Sequence, residues 1–259
     1  MRYVHENNIC KKITDNYKQK GQEIQKFYNE EYLPMRQRVM DLIFDEAHEE
    51  SFSIAANEFN MYHKKLEEFS LINGISSQSK FASTFLEEIN CYLFKDLPEI
   101  QNNVFGVYNK GIYAGLKIDN NRRIALIKKD VDFCIGKKVN ISIDGDNSVE
   151  LILPIVAVEV KTYLDATMFG EIKSSSKSIR SASPNSKTYV LMGYRCIADE
   201  HIIAARQDAT LTEMFSLRSG ENQPIRSEVL FDYWKEIKCA VSTIVEKDVV
   251  PTFGRLLNQ

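Results

Sequence analysis

The stretch "PIVAVEVKTYLD", residues 154–165, holds two charged side chains inside a run that predicts a buried strand. Five of its first seven residues are apolar. Glu159 and Lys161 are two positions apart, and side chains at i and i+2 of a strand point to the same face. Burying a carboxylate or an ammonium is costly unless the group is paired or binds a metal. The pattern therefore predicts a partner for this pair on a neighbouring element.

An acidic partner is available upstream, in "KKDVDFCIG", residues 128–136. Asp132 leads directly into the apolar "FCI", and facing side chains of adjacent strands approach within about 5 Å. Asp132 and Glu159 are therefore expected to converge on one Mg²⁺ ion, which prefers oxygen ligands. Beside a metal and a scissile phosphate, Lys161 can orient or help deprotonate water and neutralise developing charge. Asp130 has the same parity as Asp132 and is either a second metal ligand or a solvated charge.

The order of elements around this pair predicts an α/β (α+β mixed) fold. A helix is expected over 80–94, because apolar residues recur every four positions. Three strand segments follow, beginning with a strand pair around an "NKG" turn at 109–111. A helix over 165–182, with Asp165 as N-cap, then joins the 154–165 strand to another over 187–194 through a parallel, right-handed crossover. A mixed central sheet flanked by helices is the result, and a further helix is expected over 227–250.

Three segments in this order resemble the PD-(D/E)XK nuclease superfamily, and in particular type II restriction endonucleases of the Bpu-ten-I type. They are "SKFASTFLEEINCYLF", "KKDVDFCIGKK" and "PIVAVEVKTYLDATMF", within roughly residues 80–195. The resemblance implies a restriction-endonuclease-like core. It also implies Mg²⁺ held by Asp132, Glu159 and the backbone carbonyl of Val160, with Lys161 assisting the water.

In that superfamily a glutamate on the first core helix often adds an acidic group. Glu88 is the better match because it borders the buried stripe of the 80–94 helix, and Glu87 is the fallback. The sequence has Val131 where the family pattern has proline, which keeps Asp130 open as an alternative to Asp132.

The nuclease core is expected over 79–195. A helical N-terminal region, 1–78, is expected to serve DNA recognition or dimerisation, and a mixed C-terminal region, 196–259, to pack on the core. Basic residues after the site strand, in "GEIKSSSKSIRSASPNSK", either contact DNA phosphates or form a solvated helix face; they are Lys173, Lys177 and Arg180. Cutting both strands of DNA calls for two active sites, so a homodimer is expected.

Bulk properties exclude several other classes. The net charge of −3 argues against a purely electrostatic nucleic-acid binder. The five cysteines are scattered without zinc-site spacing, which favours reduced thiols. No apolar run reaches the roughly 20 residues needed to span a bilayer, and the N-terminus lacks the apolar core of a signal peptide. A cytoplasmic location is therefore expected.

The sequence as a whole predicts a Mg²⁺-dependent, site-specific deoxyribonuclease that acts on double-stranded DNA within a restriction-modification system. Glu-x-Lys alone is a weak signal, and the chain contains three such triplets. The other two fall in expected helices, where i and i+2 do not share a face. The alternatives are a repair or antiphage nuclease, a catalytically inactive DNA-binding protein of the same fold, and an edge strand whose charged pair is merely solvated.

Overall fold

Four helices form the first part of the chain. The computed structural model describes residues 3–76, 79–143, 147–208 and 210–246. A 3₁₀ turn over Tyr17–Gln19 follows the first helix, and a π-helical turn over Tyr28–Tyr32 joins the second to the third. The helices are α1 (Val4–Thr14), α2 (Gly21–Phe27), α3 (Leu33–Met40) and α4 (Glu49–Ile72).

Five further helices and seven strands make up the remainder of the described chain. The helices are α5 (Ser83–Leu93), α6 (Pro98–Gln101), α7 (Ala166–Ala182), α8 (Asp199–Asp208) and α9 (Ser227–Glu246). The strands are β1 (Gly106–Tyr108), β2 (Ile112–Ile118), β3 (Ile124–Lys129), β4 (Phe133–Ile143), β5 (Asn147–Leu164), β6 (Lys187–Arg195) and β7 (Glu213–Ser216). The helix expected over 227–250 begins at Ser227, and its last four positions lie outside the described residues.

The sheet is mixed and is organised around β5, its longest described strand. β4 runs antiparallel along one edge of β5, from Phe133 opposite Val158 to Ile143 opposite Asn147. On the other edge, β2 pairs with β5 at Ile152, and β6 runs parallel to β5 along 156–164. β3 pairs with β2, β1 with β4, and β7 with β6. The predicted mixed sheet and the parallel β5–β6 pair, with α7 between them in sequence, are confirmed.

Two details of the predicted strand order are wrong. Five strands, not three, lie between α5 and α7 in the described chain. The strands on either side of "NKG" do not form a hairpin with each other, because β1 pairs antiparallel with β4 and β2 pairs with β3 and β5. A short turn signal predicts that the chain reverses, but the choice of partner strand depends on contacts distant in sequence.

The two faces of the sheet are covered by different helices. Alternate residues of β5, Val156, Val158 and Val160, pack into a core that also includes buried residues of α1–α5 and α9. The opposite face packs against α7 and α8, through Ala157 in β5 and the buried side chains of Phe169 and Ile172. Period-two alternation in β5 therefore sends Glu159 and Lys161 to the α7 side of the sheet.

α4 and α9, which lie far apart in the sequence, contact each other. Asn60 of α4 forms two hydrogen bonds with the backbone of Ile225, just before α9. The ring centroids of Phe52 in α4 and Trp234 in α9 are 5.7 Å apart. None of the helices in the described ranges is long and apolar enough to cross a membrane.

Candidate active site

Asp132 and Glu159 face each other where β4 begins alongside β5. Phe133 pairs with Val158, and Asp132 directly precedes Phe133 while Glu159 directly follows Val158. The backbone N–H of Val160 donates a hydrogen bond of 2.8 Å to Asp132 Oδ2. The main chain of β5 therefore fixes the Asp132 carboxylate beside the Glu159–Lys161 pair.

Lys161 joins the two carboxylates. Its Nζ lies 3.3 Å from Asp132 Oδ2 and 3.1 Å from Glu159 Oε2. The three side chains are partly screened from solvent, with exposed fractions of 29% for Lys161, 27% for Asp132 and 17% for Glu159. The charged pair in the apolar strand thus has the partner on β4 that the sequence indicates.

The electrostatics of this group follow from its burial and its like charges. Burial raises the pKa of Glu159, and repulsion from the Asp132 carboxylate raises it further. Burial disfavours the Lys161 ammonium, but attraction to Asp132 and Glu159 outweighs it and raises the pKa of Lys161. The ammonium therefore supplies the positive charge that offsets two adjacent carboxylates.

Glu87 lies in the cleft that contains Asp132, which has a volume of about 650 Å³. Burial raises the pKa of Glu87 to about 7, and the Asp132 carboxylate adds to the effect. The ammonium groups of Lys80, Lys161 and Lys110 oppose it. Glu87 is thus electrostatically coupled to the acidic group on the strands.

Glu88 points in a different direction. Its carboxylate is fully buried and accepts hydrogen bonds from Tyr32 Oη (2.7 Å), Tyr92 Oη (2.6 Å) and the backbone N–H of Glu6 (2.9 Å). The helical wheel places Glu88 beside the buried stripe, and there the N-terminal helices cover it. The structure gives no support to Glu88 as the acidic group beside Asp132, and it brings Glu87 there instead.

Asp130 has a structural contact of its own. Its side chain is exposed and accepts a hydrogen bond of 3.0 Å from the backbone N–H of Gly111, which has φ +67°. Asp130 thereby ties the turn at 109–111 to the start of β4. Asp132, by contrast, contacts Val160 and Lys161, which favours Asp132 over Asp130 as the acidic group of the site.

The donor set of this site fits a hard divalent cation. Mg²⁺ in proteins commonly takes one or two carboxylates and completes its shell with waters and phosphate oxygens. Asp132 and Glu159 offer two carboxylates side by side, and Lys161 offsets part of their negative charge. Within the described residues, no group of three or more histidine, cysteine or acidic side chains is arranged to hold a metal. The predicted ligand set, two carboxylates with the backbone carbonyl of Val160, stays a prediction.

The three basic residues predicted to contact DNA lie on α7, whose apolar side packs on the sheet. Lys177 is exposed, while Lys173 and Arg180 are half-buried. Lys173 Nζ lies 5.7 Å from the centre of the Phe169 ring. The residues described as lining the 650 Å³ cleft do not include these three. Their contact with DNA remains a prediction.

The sequence patterns do not point to the opposite wall of the cleft, which α1 forms through Asn7 and Lys11. Lys80, just before α5, and Lys110, in the turn after β1, also line it. Lys110 has one sequence signal, its place in the "NKG" turn. Asn7 and Lys11 have none, because polar residues on a helix are ordinarily solvated.

Comparison with known proteins identifies the family. The family model for the Bpu10I restriction endonuclease matches residues 78–228. No sequence match was found among curated proteins. Among solved structures, a chain of the "native BbvCI A2B2 tetramer at low resolution" is similar in fold, with a TM-score of 0.70 and 16% sequence identity. The alignment covers 90% of this chain and 95% of that chain. Since the family model matches more than half of the length of this chain, the chain belongs to the Bpu10I restriction endonuclease family and is a type II restriction endonuclease.

Proposed function

We propose that the protein hydrolyses phosphodiester bonds of double-stranded DNA at a short recognition sequence, in a Mg²⁺-dependent reaction, as the nuclease of a cytoplasmic restriction-modification system. The observation that carries this proposal is the convergence of Asp132, Glu159 and Lys161 where β4 meets β5. Two carboxylates and an ammonium form the constellation that metal-assisted phosphodiester hydrolysis uses.

Asp132 and Glu159 would hold the Mg²⁺ ion, together with the backbone carbonyl of Val160. When bound, the ion supplies positive charge to the scissile phosphate and lowers the pKa of water. Lys161 donates hydrogen bonds from its ammonium to the attacking water and to phosphate oxygens. Its ion pairs to both carboxylates fix it in position before DNA arrives, so little reorganisation is needed at the moment of reaction.

Glu87 is proposed as the further acidic group, in place of Glu88. Its side chain lines the same cleft as Asp132, on a helix rather than on the sheet. A carboxylate there can accept a hydrogen bond from the attacking water. The basic residues of α7, Lys173, Lys177 and Arg180, are proposed to contact DNA phosphates outside this cleft.

The test is cleavage of phage DNA, analysed on a gel with Mg²⁺ and, in a parallel reaction, with EDTA. Discrete bands that disappear with EDTA are expected. A smear would indicate a nuclease without sequence specificity, such as a repair or antiphage enzyme. Absence of cleavage with Mg²⁺ and with every other divalent metal tried would contradict the proposal.

A variant sharpens this experiment. Lys161→Ala is expected to abolish cutting while DNA binding persists, because it removes the ammonium but leaves both carboxylates. Lys238→Ala is the matched control, since Lys238 forms an ion pair with Glu46 at the surface, 3.0 Å away. Undiminished cutting by Lys161→Ala would show that a different residue assists the water.

Double-strand cleavage also requires two active sites, and we propose that two copies of this chain supply them as a homodimer. The structural neighbour is described as an A2B2 tetramer, with two kinds of chain. That description makes a mixed assembly the second candidate. The mass of the isolated protein in solution, measured with and without a DNA duplex, distinguishes the two assemblies. The mass of two chains supports the homodimer. The mass of one chain, with cleavage only after a second protein is added, supports the mixed assembly.

A further inference from the structure

The cleft at the candidate active site is lined by both basic and acidic side chains. Four lysines and four acidic side chains line it. Asp132 and Glu87 lie on the nuclease core, whereas Lys11 lies on α1, in the helical N-terminal region.

α1 is held against α5 by buried polar contacts rather than by apolar packing alone. His5 is fully buried, and its ring nitrogens lie 3.1 Å from Thr84 Oγ1 and 2.7 Å from Tyr62 Oη. The backbone N–H of Glu6 donates to Glu88. Thr84 and Glu88 flank Glu87 on α5, so α1 is fixed by the same helix that carries the acidic group of the cleft.

The side of α1 that faces the cleft is polar and exposed. Asn7 and Lys11 are four residues apart, a spacing that places them on one face of a helix. Asn8 donates a hydrogen bond of 2.6 Å from Nδ2 to the backbone carbonyl of Lys80. Lys80 has φ 58°, in the left-handed region that ordinary residues rarely adopt, so α1 also stabilises an unfavourable backbone that presents a lysine to the cleft.

A second lysine is positioned from the other side. Lys110 lies in the turn that Asp130 ties down through the N–H of Gly111. In the described part of the chain, Lys11, Lys80 and Lys110 form no ion pair with an acidic side chain. Lys12 differs, because it is buried and its Nζ lies 4.3 Å from the centre of the Tyr17 ring.

These observations point to an anionic ligand that runs past the carboxylates. Exposed lysines are common on protein surfaces, but here they are brought to one cleft from three separate segments by specific hydrogen bonds. Lysine and asparagine side chains are typical contacts of DNA phosphates. The ammonium groups of Lys80 and Lys110 also lie close enough to Glu87 to oppose the rise in its pKa.

We propose that Asn7, Lys11, Lys80 and Lys110 form a phosphate-binding wall that holds the backbone of the DNA strand next to Asp132. This inference rests on the proposed function, since it assumes a DNA substrate. It assigns α1 to substrate positioning at the site of cleavage, close to the core, rather than to base reading. Lys11, Lys80 and Lys110 are positioning residues, because they hold the substrate without taking part in bond cleavage.

The test is the salt dependence of DNA binding by the double variant Lys11→Gln/Lys110→Gln. The probe is a fluorescent duplex of random sequence, about 30 base pairs long, in EDTA so that no cleavage occurs. Each lost lysine–phosphate contact reduces the magnitude of the negative slope of log affinity against log salt by about 0.9. The slope of the double variant should therefore be smaller in magnitude by about 1.8. Both lysines are exposed, and an unchanged circular dichroism spectrum checks that the fold is intact.

A control with the same change in net charge is Lys26→Gln/Lys64→Gln. Both residues are exposed and lie outside the described lining of the cleft. Its slope should equal that of the wild type. If the two double variants change the slope equally, or neither changes it while the wild type binds and cuts DNA, the wall is refuted and the proposed function stands. If the wild type neither binds the duplex nor cuts phage DNA, the proposed function fails and the wall with it.

Discussion

Glu87 and Glu88 are neighbours on α5, yet their carboxylates lie in different surroundings, so alanine at each position separates catalysis from stability. Glu88→Ala removes an acceptor from two tyrosine hydroxyls and one backbone N–H. The hydroxyls of Tyr32 and Tyr92 are 3.3 Å apart and can bond to each other, which leaves two donors unpaired in the core. Each unpaired buried group costs about 1–3 kcal/mol, so we expect a loss of roughly 2–6 kcal/mol in the free energy of unfolding.

Glu87→Ala should behave in the opposite way. Its carboxylate is half-buried and is repelled by Asp132, so its removal should change the free energy of unfolding by less than about 1 kcal/mol. Loss of an acidic group next to the proposed metal site should lower the cleavage rate by about 10- to 100-fold. Cleavage by Glu88→Ala, measured well below its melting temperature, should stay near the wild-type rate.

Two measurements on the same pair of variants decide the matter. Urea unfolding gives the free energies, and initial rates of phage DNA cleavage per folded molecule give the activities. The reasoning is refuted if Glu88→Ala is as stable as the wild type but inactive, or if Glu87→Ala cuts at the wild-type rate. The first result would assign the role of the helix carboxylate to Glu88, and the second would show that Glu87 does not have it.

Two further outcomes follow from the same contacts. Asp132→Asn should abolish cleavage, whereas Asp130→Asn should retain most of it, because Asp130 binds the turn at Gly111; a gel of phage DNA checks both, and equal losses would argue for Asp130 as a second ligand. Burial, assisted by the nearby charge of His63, lowers the pKa of His5 from its ordinary 6.5 to about 3. His5 is therefore protonated below about pH 6.5 in the unfolded chain but only below about pH 3 in the folded chain. Because the unfolded chain binds the extra proton, stability falls as the pH falls through this window. Between pH 7 and pH 5 the wild type should lose about 2 kcal/mol more than His5→Gln in urea unfolding, and a pH-independent difference would show that the pKa of His5 is the same in the folded and the unfolded chain.

The parts of the fold that depend on local sequence were predictable. The strand 154–165 and the following helix are confirmed, and Asp165 caps α7 by accepting a hydrogen bond of 2.8 Å from the N–H of Met168. An apolar run, a helical period and a capping residue all act within a few residues of one another. The sequence also predicts an acidic partner for Glu159 on the preceding strand, but it leaves Asp130 open beside Asp132. The pairing of Phe133 with Val158 sets Asp132 opposite Glu159.

The parts of the fold that depend on packing between distant segments could not be predicted from the sequence. The helical wheel favours Glu88 over Glu87 as the acidic group of the site, because Glu88 borders the apolar stripe. In the structure that side of α5 is covered by the N-terminal helices, which supply Tyr32 and the N–H of Glu6. The "NKG" turn predicted a hairpin, but β1 instead pairs with β4. Neither the burial of Glu88 nor the pairing of β1 with β4 has a local sequence signal, because each depends on which distant segment packs against the element.

The contact between Val160 and Asp132 has a consequence for how this site tolerates sequence change. Val160 reaches the carboxylate through its main-chain N–H, while its side chain is 6% exposed and packs in the core on the other face of the sheet. Any amino acid except proline supplies that N–H. The side chain at the middle position of the Glu-x-Lys triplet is therefore constrained by its fit to the apolar core, and isoleucine at this position should leave the hydrogen bond to Asp132 intact. On one face of the strand Val160 is constrained by packing, and on the other face the adjacent Glu159 and Lys161 are constrained by their contacts in the site.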